Sequence, residues 1–487
     1  MGRTEQMAGG NAQLALDRVE AGESLEISKK HTALPPGLTR GMLMKDVLRI
    51  AGPSFVELTL TQLTSMADLM MVGQLGAWAI TAVGLTTQPK FLMMTMFMAM
   101  NVGATALVAR YKGAEQPAKA NEAVRQALML TLVMSVAASV VGFLFSETMV
   151  RFMGATEELS LTNGTVYLQI QMAGFVLMAL TTTITAVLRG VGDSKTAMKY
   201  NVAANVINII LNWILIYGNL GFPKMGVAGA SLATVIGQTA AFFMAGWALM
   251  KKGGYLEFNL REKFKPDREI LTNIFAIGLP AMVEQLFMRF GVILYSKTVA
   301  SLGTVAFATH NVCMNIQALS FMIGQGFAVS STSLVGQSLG KKRTDMAHHY
   351  GKVSQQIGIG FSLVLALIFF VIGGPIVSLY SNEPEVIEQG TRILMFLALI
   401  QPFQATQFIL AGVLRGAGDT KTTAVVIFVT TLIVRPLLAM LTVYELHWGL
   451  YGAWIALVAD QLLRTLLIWL RYRGGQWQLM KLKGEAA

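Results

Sequence analysis

Two stretches of this chain, ITAVLRGVGDSKTAMKY at Ile184–Tyr200 and LAGVLRGAGDTKTTAVV at Leu410–Val426, carry the same L-R-G-x-G-D-[ST]-K-T string at an offset of 226 residues. Further echoes flank it at nearly the same offset. GPSFVELTLTQLTSMADLMMVGQLG from Gly52 returns as LPAMVEQLFMRFGVILYSKTVASLG from Leu279, which aligns Pro53 with Pro280 and Glu57 with Glu284. GVAGASLATVIGQ from Gly226 returns as GLYGAWIALVADQ from Gly449. A repeat this long predicts two copies of one architecture, arranged in tandem.

Composition says what the copies are made of. Of the 487 residues, 54% are hydrophobic and 13% are charged. A soluble protein keeps about a quarter of its residues charged, so this chain is too apolar to cover itself with a hydrated surface. Runs such as FSLVLALIFFVIGG and ALMLTLVMSVAASVVGFLF reach toward the roughly 20 apolar residues that cross a bilayer as a helix. The sequence predicts an all-α polytopic membrane protein with helices near 47–73, 79–109, 123–146, 165–188, 198–218, 226–250, 271–300, 305–338, 352–379, 391–414, 421–444 and 450–471. That is twelve transmembrane helices in two pseudo-symmetric six-helix lobes.

The connections divide by charge. Those at 110–122, 189–199, 251–269, 339–351 and 415–421 hold most of the bases, among them Lys251, Lys252, Lys341, Lys342 and Arg343. The alternate connections carry mainly acids, including Glu147, Glu157, Glu158, Glu383, Glu385 and Glu388. The positive-inside rule makes the basic set cytoplasmic, with both termini. The expected plan is a cytoplasmic tail 1–45, a first lobe 46–250, a linker 251–269, a second lobe 270–471 and a tail 472–487. Basic loops account for the net charge of +11 without invoking nucleic acid. The single cysteine, Cys313, excludes an intrachain disulfide and a thiolate metal cluster. Both glycine turns fall on the cytoplasmic side and lack the G-x-x-x-x-G-K-[ST] spacing of a phosphate loop. Arg189 and Arg415 are expected to anchor them at the headgroups. Parallel repeats of this kind commonly frame a central path used by alternating access, which is a transporter's plan.

Polar groups inside the apolar spans mark candidate sites, because each costs several kcal/mol there. The first helix carries Glu57, Thr61, Thr64 and Asp68, and the fifth carries Asn201, Asn205, Asn208 and Asn212. Both sets follow spacings of 0, 4, 7 and 11, which place each on one helix face. Asp68 and Asn212 lie at similar depth, near the outer ends of their helices, where they could share a small cation or proton. In the second copy Met288, Gly291 and Tyr295 stand opposite Thr61, Thr64 and Asp68, so only Glu284 survives from the stripe. The main ion-coupling set is therefore Asp68, Asn208, Asn212 and Glu57, with Glu284 and Tyr295 a second candidate. Lys90, Arg289 and Arg435 are bases inside spans and need partners; a pairing of Lys90 with a carboxylate of the first helix is expected. Asp460 and Arg464, four residues apart, read as a local pair. The methionine-rich KFLMMTMFMAMNVG reads either as gap-filling between helices or as a pliable cavity wall.

Together, the twelve spans, P-x-x-x-E and ADLMMVGQLG in the first helix, LVGQSLG at Leu334–Gly340 and the doubled glycine turn resemble the multidrug and toxic compound extrusion (MATE) family over about residues 45–475. The resemblance implies secondary active efflux of cationic or amphipathic small organic compounds, driven by inward flow of H+ or Na+. It implies no cofactor and a monomer in the cell membrane. It matches the first-helix acid to Asp68 and the fifth-helix polar position to Asn208, while a second fifth-helix acid of some archaeal relatives is Asn212 here. The seventh-helix acid of the NorM-type branch falls at Met288, one turn after Glu284, and its tenth-helix acid falls at Gln404, which joins Glu284 and Tyr295 in the second candidate coupling or substrate set. Fewer carboxylates weigh against a charged sodium cage and toward protons. Two other readings follow from the residues. A lipid-linked sugar flippase of the same superfamily would use the three intramembrane bases. A membrane-embedded enzyme lacks any metal or nucleophile motif here.

Overall fold

The computed structural model describes residues 37–154, 157–251, 253–258, 265–381 and 383–481. Among the described residues there are helices and turns but no strand. The helices are α1 Arg40–Gly73, α2 Ala77–Gly113, α3 Pro117–Leu144, α4 in two pieces Glu158–Ala173 and Phe175–Gly190, α5 Ser194–Tyr217 and α6 Gly226–Met250. The second set is α7 Arg268–Ala300, α8 Thr304–Gly340, α9 Thr344–Ser378, α10 Pro384–Ala417, α11 from Thr420 to Glu445 and α12 Gly449–Arg473. A short helix Ser146–Phe152 connects α3 to α4.

Ten of these helices are long and apolar enough to cross a membrane, and an eleventh is α4, bent by 52° at Gly174. Helix α1 is not among them, because Glu57, Thr61, Thr64 and Asp68 dilute its apolar content; with it the spans number twelve. Most ends extend a few residues beyond the apolar windows, since the helices continue into the polar turns that flank them. Helix α11 alternates α and π turns, with π stretches at Phe428–Val434 and Leu441–Glu445.

The described residues form two compact units, one within Arg49–Leu286 and the other within Met1–Leu48 and Phe287–Ala487. These edges fall inside α1 and α7, whereas the lobes expected from the repeat run 46–250 and 270–471. Two packing faces account for the difference. In α7, Ile270, Ile274, Ile277 and Ala281 are buried at helical spacing and belong to the first-named unit. In α1, Leu43 and Val47 are fully buried in the other, where Ser330 Oγ donates to the Val47 carbonyl at 3.2 Å and Tyr350 donates to Asp46 at 2.8 Å.

Most of the expected first tail, residues 1–36, lies outside the described residues, as do 482–487 and linker residues 252 and 259–264. The described linker is packed: the Tyr255 hydroxyl donates to the Tyr111 carbonyl at 3.2 Å and the Glu257 N–H donates to Asn121 at 2.9 Å. The described part of the stretch after 471 is likewise packed. Trp477 is fully buried, stacks on Tyr472 and donates its indole N–H to the Tyr472 carbonyl at 2.8 Å.

The core of the Arg49–Leu286 unit gathers Phe97, Leu168, Met172 and Phe175, with Met93 and Met94 against them. Met96 and Met98 point outward, so the methionine run is split between interhelical filling and the exterior. Cys313 is a free, buried thiol in the other core, beside Tyr295 and Trp454.

Candidate functional site

The doubled turn is a joint, and each of its letters has a mechanical role. The first glycine of each copy admits a neighbouring helix. A Cβ on Gly190 would lie 2.9 Å from the Thr105 carbonyl oxygen, and one on Gly416 would lie 2.5 Å from that of Thr332. The contacts are equivalent: Thr105 donates to the Ala186 carbonyl at 3.1 Å and Thr332 to the Gly412 carbonyl at 2.9 Å. The second glycine turns the chain with positive φ, 83° at Gly192 and 90° at Gly418, a region costly for residues with a Cβ. The aspartate then caps the next helix, Asp193 accepting from the Thr196 N–H and Asp419 from that of Thr422, as N-cap carboxylates do. The arginine does not seek headgroups in the first copy. Arg189 forms a 2.8 Å ion pair with Glu57, the side chains being 16% and 6% exposed, because a buried carboxylate one helix away offers a stronger partner than solvated phosphate.

Above that pair the two polar stripes meet as a ladder. Asn201 donates to Glu57 at 2.7 Å, Asn205 to Thr61 at 3.0 Å, and Asn212 to Asp68, each pair separated by 144 residues. The constant offset means that α1 and α5 run parallel and in register, each rung one helical turn or two from the last. Thr64 makes no rung; its hydroxyl back-bonds to the Leu60 carbonyl at 2.9 Å. Asp68 ends the ladder five residues before α1 stops at Gly73. With its amide assigned in the orientation that satisfies both ends, Asn208 joins there, its nitrogen 2.9 and 3.2 Å from the two carboxylate oxygens and its oxygen accepting from the Thr234 N–H and hydroxyl at 3.1 and 3.2 Å. Asn212 is fully buried, and its amide oxygen has no hydrogen-bond partner. Asp68 itself is half-buried. The arrangement is one carboxylate gripped by two amides beside a spare buried acceptor.

Lys90, next to Pro89 in α2, interacts electrostatically with Asp68 but does not make the direct ion pair expected for it. Its ammonium donates to Gln171 Oε1 at 2.7 Å. Gln171 is fixed from the other side by Ser231, whose hydroxyl and carbonyl lie 3.2 and 3.3 Å from its nitrogen, and Ser231 in turn donates to the Tyr167 carbonyl at 2.8 Å. Thr234, Gln171 and Ser231 belong to no polar stripe in the sequence; the glutamines Gln169 and Gln171 in the apolar run of α4 are the available signal.

The other unit holds a different polar core. Asp460 is fully buried between two arginines. Arg435 Nε donates to it at 2.9 Å and a second nitrogen bonds the same oxygen, while Arg464 donates at 2.9 and 2.7 Å. Arg464 also bonds Thr430 at 3.3 Å and Thr431, both in the first π stretch of α11. Asp460 and Arg464 thus pair as expected, and Arg435 completes a triad. The Arg435 guanidinium lies 5.7 Å over the Tyr295 ring. Tyr295 donates to the Ala453 carbonyl at 2.9 Å and packs edge-on against His310. Gln404 accepts from Ser320 at 3.4 Å, in a separate buried set with Gln401. Glu284 is buried and belongs to the Arg49–Leu286 unit, whereas Tyr295 and Gln404 belong to the other. Arg289 is half-buried.

The profile of the family described as MatE matches the chain twice, over 53–214 and 280–441. The chain belongs to the MATE family. The matched segments are of equal length and offset by 227 residues, the spacing of the repeat. Among relatives, a probable multidrug resistance protein NorM of Thermotoga maritima is 27% identical over 439 residues, covering 90% of this chain and 93% of that one. The multidrug resistance protein PmpM of Pseudomonas aeruginosa is 29% identical over 403 residues, covering 81% and 83%. Solved structures share the fold. A MATE in the bent conformation aligns at TM-score 0.82 with 24% identity, over 89% of this chain and 95% of that one. A transporter of the MOP superfamily from Pyrococcus furiosus aligns at TM-score 0.82 with 24% identity, over 88% and 95%. The protein is therefore a multi-pass membrane transporter and not an enzyme.

Proposed function

We propose that this MATE protein is a cation-coupled antiporter, driven by H+ or Na+, that exports cationic or amphipathic organic compounds by alternating access. Asp68, Asn208 and Asn212 form its ion-coupling site, and Glu57 braces the inner end of the same ladder. The observation that carries this reading is the half-buried Asp68 held by two amides beside the unused Asn212 oxygen. An ionised carboxylate accepts hydrogen bonds only, whereas a protonated one also donates. Loading Asp68 with a proton therefore forces an amide to turn or release, and the spare oxygen is placed to accept the new donor. An ion shifts a conformational balance only through its differential affinity for the two states, and this rearrangement of the α1–α5 ladder supplies such a difference. The cargo class follows the relatives, whose names are those of multidrug resistance proteins. The basic connections favour a cytoplasmic location for both termini in the cell membrane, with the monomer as the working unit.

The test is efflux of ethidium from proteoliposomes under separately imposed sodium and pH gradients. Gradient-driven efflux is expected for the parent and is lost in Asp68→Asn; full transport by that variant would contradict the proposal. A flippase for lipid-linked sugars needs bases open to a pyrophosphate. The engagement of Lys90 with Gln171 and of Arg435 with Asp460 weighs against it.

A further inference from the structure

We propose that a cleft between α9, α10 and α12 seats an anionic phospholipid of the leaflet on the basic side, an acyl chain lying in the cleft and the phosphate on Arg473 and Lys352. The cleft follows from how the three helices meet. Near their basic-side ends α9 and α12 touch: the Tyr472 hydroxyl donates to the His348 carbonyl at 3.1 Å, and the two rings stack at 5.5 Å. Gly351 admits this contact, since a Cβ there would lie 3.1 Å from the Tyr472 hydroxyl oxygen. Deeper along the helices a cavity of about 300 Å³ is lined by Gln355 of α9, by Leu462, Leu466 and Trp469 of α12, and by Phe403 and Thr406 of α10. Its surface suits hydrocarbon. Phe403, Leu462 and Leu466 are 45%, 39% and 49% exposed, and a contiguous apolar patch of this kind calls for an apolar cover. The hydroxyls beside them are already used: Thr406 donates to the Pro402 carbonyl at 2.8 Å, and Thr465 to the Phe403 and Gln461 carbonyls at 3.0 and 2.7 Å. Helix α9 is the least buried of the ten long apolar helices, so the cleft lies at the periphery of its unit.

Charge selects the headgroup. The Arg473 guanidinium lies 5.2 Å over the Trp469 ring, a cation–π contact that holds a positive charge at the mouth of the cleft. Lys352 follows Gly351 and so stands beside the α9–α12 contact; both bases are exposed. Arg40 adds a third, donating at 2.6 Å to Gln356, one turn along α9 from Lys352. Among the described residues none of these three is in an ion pair, whereas Arg343 is paired with Asp345 and Arg471 with Asp419. The acid of the adjoining turn of α1, Asp46, accepts from Tyr350. Basic pockets between helices on such a face bind anionic headgroups. The depth agrees. Lys352 and Arg473 stand at the edges of the apolar windows, at headgroup level. Leu462 and Phe403 lie about 14–16 Å inside those windows at 1.5 Å per residue, close to the middle of hydrocarbon about 30 Å thick. A chain that starts at the two bases therefore runs the length of the cleft within one leaflet.

The test uses the full-length protein in phosphatidylcholine liposomes that carry a minor fraction of lipid brominated on its acyl chains, either phosphatidylglycerol or phosphatidylcholine. Bromine quenches tryptophan fluorescence on contact, and the signal of Trp469 is the difference between the parent and Trp469→Phe. Brominated phosphatidylglycerol is expected to quench Trp469 more strongly than brominated phosphatidylcholine at equal fraction. Each base at the membrane surface is worth about fivefold in affinity for an anionic lipid, so Lys352→Gln with Arg473→Gln lowers it by about 25-fold and brings the two lipids level. Lys341→Gln with Lys342→Gln removes the same charge from the neighbouring turn and leaves the preference in place. All four bases are exposed, so these changes spare the packed core. Three results overturn the seat: no quenching of Trp469 by either lipid, equal quenching by both in the parent, or a preference that survives Lys352→Gln with Arg473→Gln. A preference abolished just as fully by the Lys341 and Lys342 changes overturns it too, since the attraction would then belong to the whole basic face.

Discussion

Replacing Asp460 with asparagine removes the one negative charge between two buried guanidiniums. Asp460 is fully buried and each arginine is 5% exposed, so water has little access to the charges left behind. Four hydrogen bonds to the carboxylate are lost or weakened, and the arginines retain the Thr430 and Thr431 hydroxyls and the Tyr295 ring. Breaking a buried ion pair from one side costs about 3–5 kcal/mol, and a bare arginine in mid-bilayer costs about 2.5–3.5 kcal/mol on insertion scales. For a body of some 150–250 residues each kcal/mol lowers the melting point by about 2–4 °C, so Asp460→Asn melts about 6–20 °C below the parent. The measurement is thermal unfolding of detergent-solubilised protein, followed by intrinsic tryptophan fluorescence. Adding Arg435→Gln restores the parent's net charge in the cluster and recovers part of the loss, which is the diagnostic result. A melting point within about 2 °C of the parent, or a double variant less stable than Asp460→Asn, would refute the electrostatic account of this core.

Three other outcomes are expected. Gly416→Ala destabilises more than Gly190→Ala, within an overpacking cost of about 1–3 kcal/mol, because its Cβ meets a carbonyl oxygen at 2.5 Å rather than 2.9 Å; paired melting curves decide the order. Asn205→Ala loses only a partly exposed rung worth about 0.5–1.5 kcal/mol and keeps ion-driven ethidium efflux, whereas Asn208→Leu abolishes the driven component in the same assay. Trp477→Ala empties a fully buried site and costs about 3–5 kcal/mol, a loss that a free tail would not show.

What the sequence made legible was what repeats along a helix. Apolar windows mark all twelve spans, and the 0, 4, 7, 11 spacing on two helices marks both sides of the ladder, because a polar stripe on one helix demands a polar stripe to meet it. Partners chosen in three dimensions left weaker traces. Arg189 turns to Glu57 on another helix, and Arg435 reaches Asp460 across 25 residues; no local period announces either. The expected pairing of Lys90 with a carboxylate missed Gln171, since an uncharged amide competes for the same ammonium at shorter reach. The π stretches of α11 and the break at Gly174 leave no period in the sequence, and the polar residues around Trp477 mask its burial.

The register of the ladder has a bearing on biogenesis. Glu57 and Asp68 are synthesised 144 residues ahead of Asn201 and Asn212, the side chains that bond them. At about 5–20 residues per second this is a wait of roughly 7–29 s. Helix α1 therefore emerges as a segment too polar to commit itself to lipid, and its final seating depends on a partner not yet translated. Helix α1 is made before the partner that completes its seating, and nascent chains that stop short of α5 should fail to hold it in the bilayer.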